Sequence, residues 1–524
     1  MTVNLSPFQN EALTDFSRDE SILKMEEALT QVQQEFGREY PLVIHGEKVK
    51  SGQKMRSLNP ADPNEVVGVV QRASVTQGEQ AIASATQAFG EERYGKGWRW
   101  QRPETRVKYL VKTAEVMRRR RLELAACLVF EVGKSWVEAD ADVAEAIDFC
   151  EFYAREALRY GADQPVGSLP GEKNALVYIP LGVGVVIPPW NFPLAILTGM
   201  TVASWVTGNT VVLKPSSDAP VIAAKFMEIM EEVGLPPGVV NFLTGPGGEV
   251  GSRLVTDPRT RFVAFTGSRD VGLQIVEKAA VHQSGQRWIK RVIAEMGGKD
   301  AIIVDDEADL PAAVDGVVAS AFGFQGQKCS ACSRAIVCAP VYEAFLARLQ
   351  ECVNKITMGP PKDRKNTLGP VVNEKQCNVI EGYFDIGKRE GRLLCGGHRI
   401  ASDGYFLEPT VIVDVDAKAR IAQEEIFGPL LAVIKVATFD EALRVANGTD
   451  YGLTGGVFSA NQEKSDLAKE VFHVGNLYVN RKCTGAMVGA HPFGGFNMSG
   501  TDSKAGGRDY LLLFLQAKSV AEKC

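Results

Sequence analysis

The 524-residue sequence has no apolar run approaching 18 residues, so it offers no candidate membrane-spanning helix. Its first residues, Met1-Thr2-Val3-Asn4-Leu5-Ser6-Pro7-Phe8, lack a basic segment followed by an apolar core, and so do not read as a secretory signal. Histidine is scarce: there are 5, scattered, with no metal-ligand spacing. Positive charge is also in deficit, with 58 Lys+Arg against 64 Asp+Glu and a net charge of −6, which argues against a nucleic-acid partner. The one dense basic run, Arg118 to Arg121, falls in a helix predicted over Arg106 to Phe130 and reads as a solvated face. The 10 cysteines, spread from Cys127 to Cys524 without a secretory signal, read as reduced thiols, and the protein is expected in the cytoplasm. The dinucleotide fingerprint G-x-G-x-x-G is missing too.

What is present is an ordinary globular composition, 45% hydrophobic and 23% charged, on a chain too long for one core. Residues 1–40 read as a polar, helical lead-in. From Gly182 onward strands and helices alternate. Strands are predicted over Gly184 to Ile187, Thr210 to Leu213, Val239 to Phe242 and Arg261 to Phe265. Helices are predicted over Leu194 to Thr207, Ala219 to Val233 and Asp270 to Ala280. A second alternating series begins at Ala301 to Val304. Such alternation implies an α/β protein with parallel sheets. A boundary is expected near Gly297-Gly298.

Two segments carry chemistry. Glu295-Met296-Gly297-Gly298-Lys299 offers a carboxylate between apolar neighbours, where a raised pKa makes a usable base near neutral pH. Phe322-Gly323-Phe324-Gln325-Gly326-Gln327-Lys328-Cys329-Ser330 offers a thiol behind a glycine-rich approach. Against these stand plainer readings: a helix-start or surface carboxylate, a buried structural cysteine, or Cys329 and Cys332 as a redox or zinc pair. Zinc needs about four ligands, and no second paired motif is nearby.

Together, in this order, the two segments resemble the aldehyde dehydrogenase superfamily. The resemblance implies a Rossmann-like cofactor domain (41–165 and 182–296), an α/β catalytic domain (297–499) and small oligomerisation strands (166–181 and 500–524). It also implies a mechanism in which Cys329 attacks an aldehyde, a nicotinamide cofactor takes the hydride, and Glu295 activates water. Asn191, in Pro188-Pro189-Trp190-Asn191-Phe192-Pro193, becomes the oxyanion donor. The cofactor, NAD with NADP possible, would meet Ile187, Lys214, Ser217, Gly267, Ser268, Glu425 and Phe427. Relatives that prefer NAD often carry glutamate where this chain has Ser217, and many carry lysine where it has Asn497.

Three further stretches bring the chain close to the glutamate-γ-semialdehyde dehydrogenase branch of that superfamily. They are Gly326 to Arg334, Glu145 to Phe149, and Asn480 to Gly489. That branch catalyses the second step of proline catabolism. The likeness makes Ser330, Gly485 and Ala486 donors to the substrate α-carboxylate. Phe192 and Phe493 would sandwich its aliphatic middle, and Glu145 would border the pocket. No metal is implied. The apolar tail Tyr510 to Leu515 reads as an intersubunit strand, so a homo-oligomer of at least two subunits is expected. The rival readings are oxidation of another semialdehyde and a non-catalytic scaffold.

Overall fold

The computed structural model describes residues 5–90 and 95–524. Short Val/Ile runs bounded by glycine and proline become fully buried strands, the pattern of parallel sheets covered on both faces. In the first of two seven-stranded sheets, Arg291–Glu295, Thr260–Thr266, Val183–Ile187, Thr210–Leu213 and Val240–Phe242 lie side by side and parallel. The hairpin Leu42–Ile44 and Glu47–Val49 extends its far edge antiparallel. His45 and Gly46, with φ of 55° and 78°, make the tight turn between them. The second sheet orders Arg392–Cys395, Thr410–Val413, Leu430–Val436, Arg334–Cys338, Ala301–Val304, Thr454–Phe458 and Asn476–Val479, all parallel except its first edge strand. A separate two-stranded ribbon pairs Glu172–Pro180 with Leu515–Lys523. The fold is therefore α/β with two parallel sheets and a small β element. Among the described residues no helix is long and apolar enough to cross a membrane.

Four expectations need correction. The predicted helix Arg106 to Phe130 is two helices, Pro103–Arg119 and Arg121–Val132, broken at Arg120. The basic run at this break is a solvated face only at Arg118 and Arg119; Arg120 and Arg121 are largely covered. Arg118 pairs with Glu11 and Glu151, Arg119 with Glu232, Arg120 with Glu123 and Glu228, and Arg121 with Asp140.

The lead-in is helical only over Asp19–Gln34, and it is no peripheral appendage: Met25, Ala28, Leu29 and Val32 are buried in the main core. Upstream, Asn10 and Thr14 hydrogen-bond to Asp148 and Asp140.

Of the tail Tyr510 to Leu515 only Leu515 lies in a strand, Leu515–Lys523. Tyr510–Phe514 is a 3₁₀ turn whose Tyr510, Leu511 and Phe514 are buried within the chain itself. Its aromatic side chains decide this, because Tyr510 stacks on Tyr153 at 5.5 Å and Phe514 meets Phe262 edge-on at 5.4 Å.

Candidate active site

In the first sheet the parallel strands end together, so their carboxyl ends form one rim, where open α/β sheets take ligands. Ile187, Lys214, the pair Gly267-Ser268, and Glu295 all stand at that rim. Beyond Glu295 the chain crosses to the second sheet through Met296 to Asp300. The Met296 N–H donates to the Ser499 carbonyl at 2.7 Å, which ties the crossing to the Phe493–Ser503 region.

Cys329 follows helix Leu310–Phe322 and a tight turn at Gly323–Gly326. Phe324, Gln325 and Gly326 all have positive φ, 49°, 56° and 66°. Only the glycine takes this conformation readily; the other two are strained, as residues beside reacting groups often are. Gly326 cannot be replaced by a larger residue, since a Cβ there would lie 2.3 Å from the Gly428 carbonyl oxygen. After Cys329 the chain is pinned by Asp300, whose carbonyl accepts the N–H groups of Ser333 and Arg334 at 3.1 Å.

The two motifs converge on one cavity of about 120 Å³. Cys329 and Glu295 line it, with Ser330, Gly485, Ala486, Phe192, Phe493 and Glu145. The Glu295 carboxyl sits in a cradle of glycines and accepts from the Ser503 hydroxyl and the Gly495 N–H. Burial pushes its pKa up to about 8, against the opposing pull of those two donors and of Lys504. Burial likewise raises the Cys329 thiol, and the acidic neighbours Asp300, Glu425 and Glu295 raise it further. Asn191 is buried beside the nucleophile's loop. Its Nδ2 donates to the Gln327 carbonyl at 3.2 Å, leaving its second amide hydrogen unspent.

At the other end of the cavity, Arg481 holds the carbonyls of Thr484 and Gly485 at 3.3 Å. The N–H groups of Gly485 and Ala486 donate to no protein acceptor among the described residues. Two unspent donors beside the Ser330 hydroxyl suit an anion. Helix Trp136–Gly161 carries Glu145 and Phe149, one turn apart, onto the same wall. Burial pushes Glu145 up to about 8.

The remaining residues expected to meet a cofactor lie outside this cavity. Lys214 is 3% exposed, its Nζ donates only to the Pro215 carbonyl at 3.2 Å, and burial pushes it down to about 8. A buried lysine without a carboxylate fits the hydroxyls of a bound ligand. Ser217 donates to the Gly245 carbonyl at 3.3 Å. Ser268 precedes helix Arg269–Ala280 without spending its hydroxyl as a cap, and a Cβ on Gly267 would meet the Phe265 ring at 2.6 Å. Glu425 accepts the Gly298 N–H at 3.0 Å, and Phe427, at φ 57°, packs edge-on against Trp190 at 5.4 Å. Glycine is required at 297, where a Cβ would lie 2.0 Å from the Glu425 carboxylate. These groups fit a dinucleotide: cationic and hydroxyl donors on one rim, and a carboxylate beside the thiol's loop.

Sequence reasoning missed several contributors. Tyr510, expected in an intersubunit strand, lines the cavity with Met200 and His491. Ser503, Lys504 and Asp300 surround the two reactive groups, but no motif singles them out because they are distant or bland in sequence. The buried pair Lys134–Asp142 was equally silent.

Residues 48–520 match the Aldehyde dehydrogenase family. The chain is 55% identical over 518 residues to a 1-pyrroline-5-carboxylate dehydrogenase of Geobacillus sp. (strain WCH70), covering 99% of each protein. It is 54% identical over 517 residues to 1-pyrroline-5-carboxylate dehydrogenase 2 of Bacillus subtilis (strain 168), again covering 99% of each. Its structure superposes on that of a 1-pyrroline-5-carboxylate dehydrogenase from Thermus with bound NAD, with a TM-score of 0.97, 53% identity and 100% coverage of both chains. A sequence matched over nearly its whole length and a fold shared at this level make the chain a member of the aldehyde dehydrogenase family.

Proposed function

We propose that the chain oxidises L-glutamate γ-semialdehyde, the open form of 1-pyrroline-5-carboxylate, to L-glutamate with NAD, the second step of proline catabolism. The observation that carries this reading is the single small cavity in which a thiol, a carboxylate of raised pKa and two unspent backbone donors face one another. An aldehyde at one end of a substrate and an α-carboxylate at the other match its two ends. Full-length relatives named for this activity support the choice of substrate.

In the proposed reaction Cys329 gives its proton to solvent water, and the thiolate sulfur bonds to the aldehyde carbon as the carbonyl π pair moves onto oxygen. The free amide hydrogen of Asn191 and the Cys329 N–H receive the resulting oxyanion; one such donor is worth roughly a hundredfold to a thousandfold in rate. When bound, the oxidised nicotinamide would supply the hydride acceptor for oxidation of the cysteine adduct to a thioester. Glu295 then takes a proton from water as the water oxygen adds to the thioester carbonyl, and collapse releases glutamate and Cys329. Ser330, Gly485 and Ala486 hold the α-carboxylate throughout, while Phe192 and Phe493 flank the methylenes. Lys214, Ser217, Ser268 and Glu425 would hold the cofactor, with Ile187, Gly267 and Phe427 shaping its bed.

The ribbon Glu172–Pro180 and Leu515–Lys523 is exposed along most of its C-terminal strand. A two-stranded ribbon is marginal alone in water, which supports a homo-oligomer of at least two subunits covering it.

The test is a steady-state screen of aldehydes with NAD and NADP, read as reduced cofactor. Glutamate semialdehyde is expected to give the highest kcat/KM; a higher value for a different semialdehyde overturns the substrate assignment.

Ser330→Ala separates substrates. Losing one hydrogen bond to a charged partner costs about 1.5–3 kcal/mol, or roughly ten- to a hundredfold. kcat/KM for glutamate semialdehyde is expected to fall by about that factor, while propanal, which has no carboxylate, changes far less. An equal fall for both would assign Ser330 to supporting Cys329.

Ser217→Glu is expected to move cofactor choice towards NAD. A carboxylate accepts both ribose hydroxyls and repels a 2′-phosphate, worth at least about 1 kcal/mol, or roughly fivefold. An unchanged ratio of kcat/KM for NAD over NADP means that Ser217 does not face the ribose.

A further inference from the structure

We infer that Lys134 is a positioning residue for the Cys329 centre, acting through the rings of Phe192 and Phe324. The inference rests on the reading of Cys329 as nucleophile and goes beyond it. Lys134 follows Gly133, whose φ of 72° ends helix Arg121–Val132. Its ammonium is wholly buried and does not line the cavity. A cation there needs compensation. Asp142, equally buried, supplies a carboxylate oxygen at 2.8 Å. The carboxyls of Glu138 and Glu145 also feel its charge, and ring faces add to it: Nζ lies 3.8 Å from the Phe192 centroid and 4.8 Å from that of Phe324. The two rings meet each other edge to face at 6.5 Å.

Those rings belong to two different parts of the site. Phe192 is a cavity wall and directly follows Asn191. Phe324 opens the strained turn that delivers Cys329. The second oxygen of Asp142 accepts the Ala195 N–H at 2.7 Å, which pins the far end of the Asn191 segment. Gln325, also strained, donates to the carbonyl of Gly133, the neighbour of Lys134, at 3.2 Å. One buried ion pair therefore braces the oxyanion-donor segment and the nucleophile segment against each other. A pair serving stability alone could be replaced by apolar side chains without loss. A pair that sets the spacing of two reacting segments could not, since a misplacement of about 1 Å costs up to a hundredfold in rate.

The test is a set of double-mutant cycles on the full-length protein, combining Lys134→Met with Phe192→Leu and with Phe324→Leu. Two quantities are read: kcat for propanal and for glutamate semialdehyde, and the rate of Cys329 alkylation by iodoacetamide, followed by mass spectrometry. Lys134→Met is expected to lower kcat roughly ten- to thirtyfold, the size of a desolvated cation–ring contact, with the NAD KM little changed. In at least one ring-deleted background its effect should shrink below about threefold. Lys134→Arg should restore part of the loss. If Lys134→Met does not fold, Lys134→Met/Asp142→Asn takes its place, because it leaves no unpaired buried charge. An undiminished effect in both ring-deleted backgrounds overturns the inference, as does a kcat within about twofold of wild type. Alkylation needs no aldehyde, so a wrong substrate assignment leaves this test standing.

Discussion

Cys329→Ala is expected to abolish aldehyde oxidation while leaving NAD binding largely intact. The thiol is the one nucleophile proposed, and no neighbour can take its place. Cys332 and Cys483 are buried, and each spends its sulfur on a backbone carbonyl, that of Arg334 and of Ser330. The proposed cofactor residues Lys214, Ser217, Gly267 and Ser268 stand on the rim of the first sheet, outside the cavity that Cys329 lines. Removing one sulfur atom from a partly exposed side chain should not disturb them. Isothermal titration should therefore give an NAD Kd close to wild type, while turnover falls by far more than a hundredfold, the order seen when a covalent nucleophile is deleted. Turnover above about a hundredth of wild type would sink the assignment. The surroundings sharpen the point. Burial and the acidic groups Asp300, Glu425 and Glu295 all oppose ionisation of the thiol in the free protein, so general surface reactivity is not what makes this cysteine useful. Its value lies in where the strained turn delivers it.

The architecture was legible wherever pattern and burial agree. Thr210–Leu213 and Ala301–Val304 were bounded to the residue, because a run of four rich in β-branched residues between turn formers is too short for a helix. The sheet rim followed, since motifs placed after parallel strands must lie on one edge. Legibility ended where tertiary contacts override local pattern. The run Tyr510-Leu511-Leu512-Leu513-Phe514-Leu515 is as apolar as an edge strand, but stacking on Tyr153 and packing on Phe262 hold it as a 3₁₀ turn in the core. Arg118 and Arg119 are solvated as the pattern implies, but Arg120 and Arg121 are covered because their partners Glu228 and Asp140 lie far away in sequence.

The site divides in the same way. Cys329, Glu295, Ser330, Gly485 and Phe493 stand in recognisable segments, and they line one cavity. Ser503, Asp300 and Lys134 have no such signature. Each acts through a contact made only after folding: a hydroxyl on Glu295, a carbonyl that anchors Ser333 and Arg334, and an ammonium against two rings.

Glu295→Gln is expected to separate the two halves of the reaction. The amide has nearly the shape of the carboxyl: its one oxygen can still accept from the Gly495 N–H and its NH2 can donate to the Ser503 hydroxyl oxygen, so the cavity and the first half-reaction should survive. What it cannot do is take a proton from water. Rapid mixing with aldehyde and NAD should then give a burst of reduced cofactor equal to the enzyme present, followed by turnover slowed about a hundred- to ten-thousandfold, the usual contribution of a general base. The pH dependence gives a second, independent signature. Burial raises Glu295 to about 8, so the carboxylate form needed for hydrolysis is scarce below that pH and accumulates above it. Where thioester hydrolysis limits wild-type turnover, the rate should climb through about pH 8 and then level off. The Gln variant, with nothing to titrate, should lose that limb. A burst slowed as much as the steady state would give Glu295 an earlier task, such as drawing the proton from Cys329. A pH limb that survives in the variant would assign the titration to another group. Lys504, lowered by burial from the usual lysine range and coupled by charge to Glu295, would then be the first candidate.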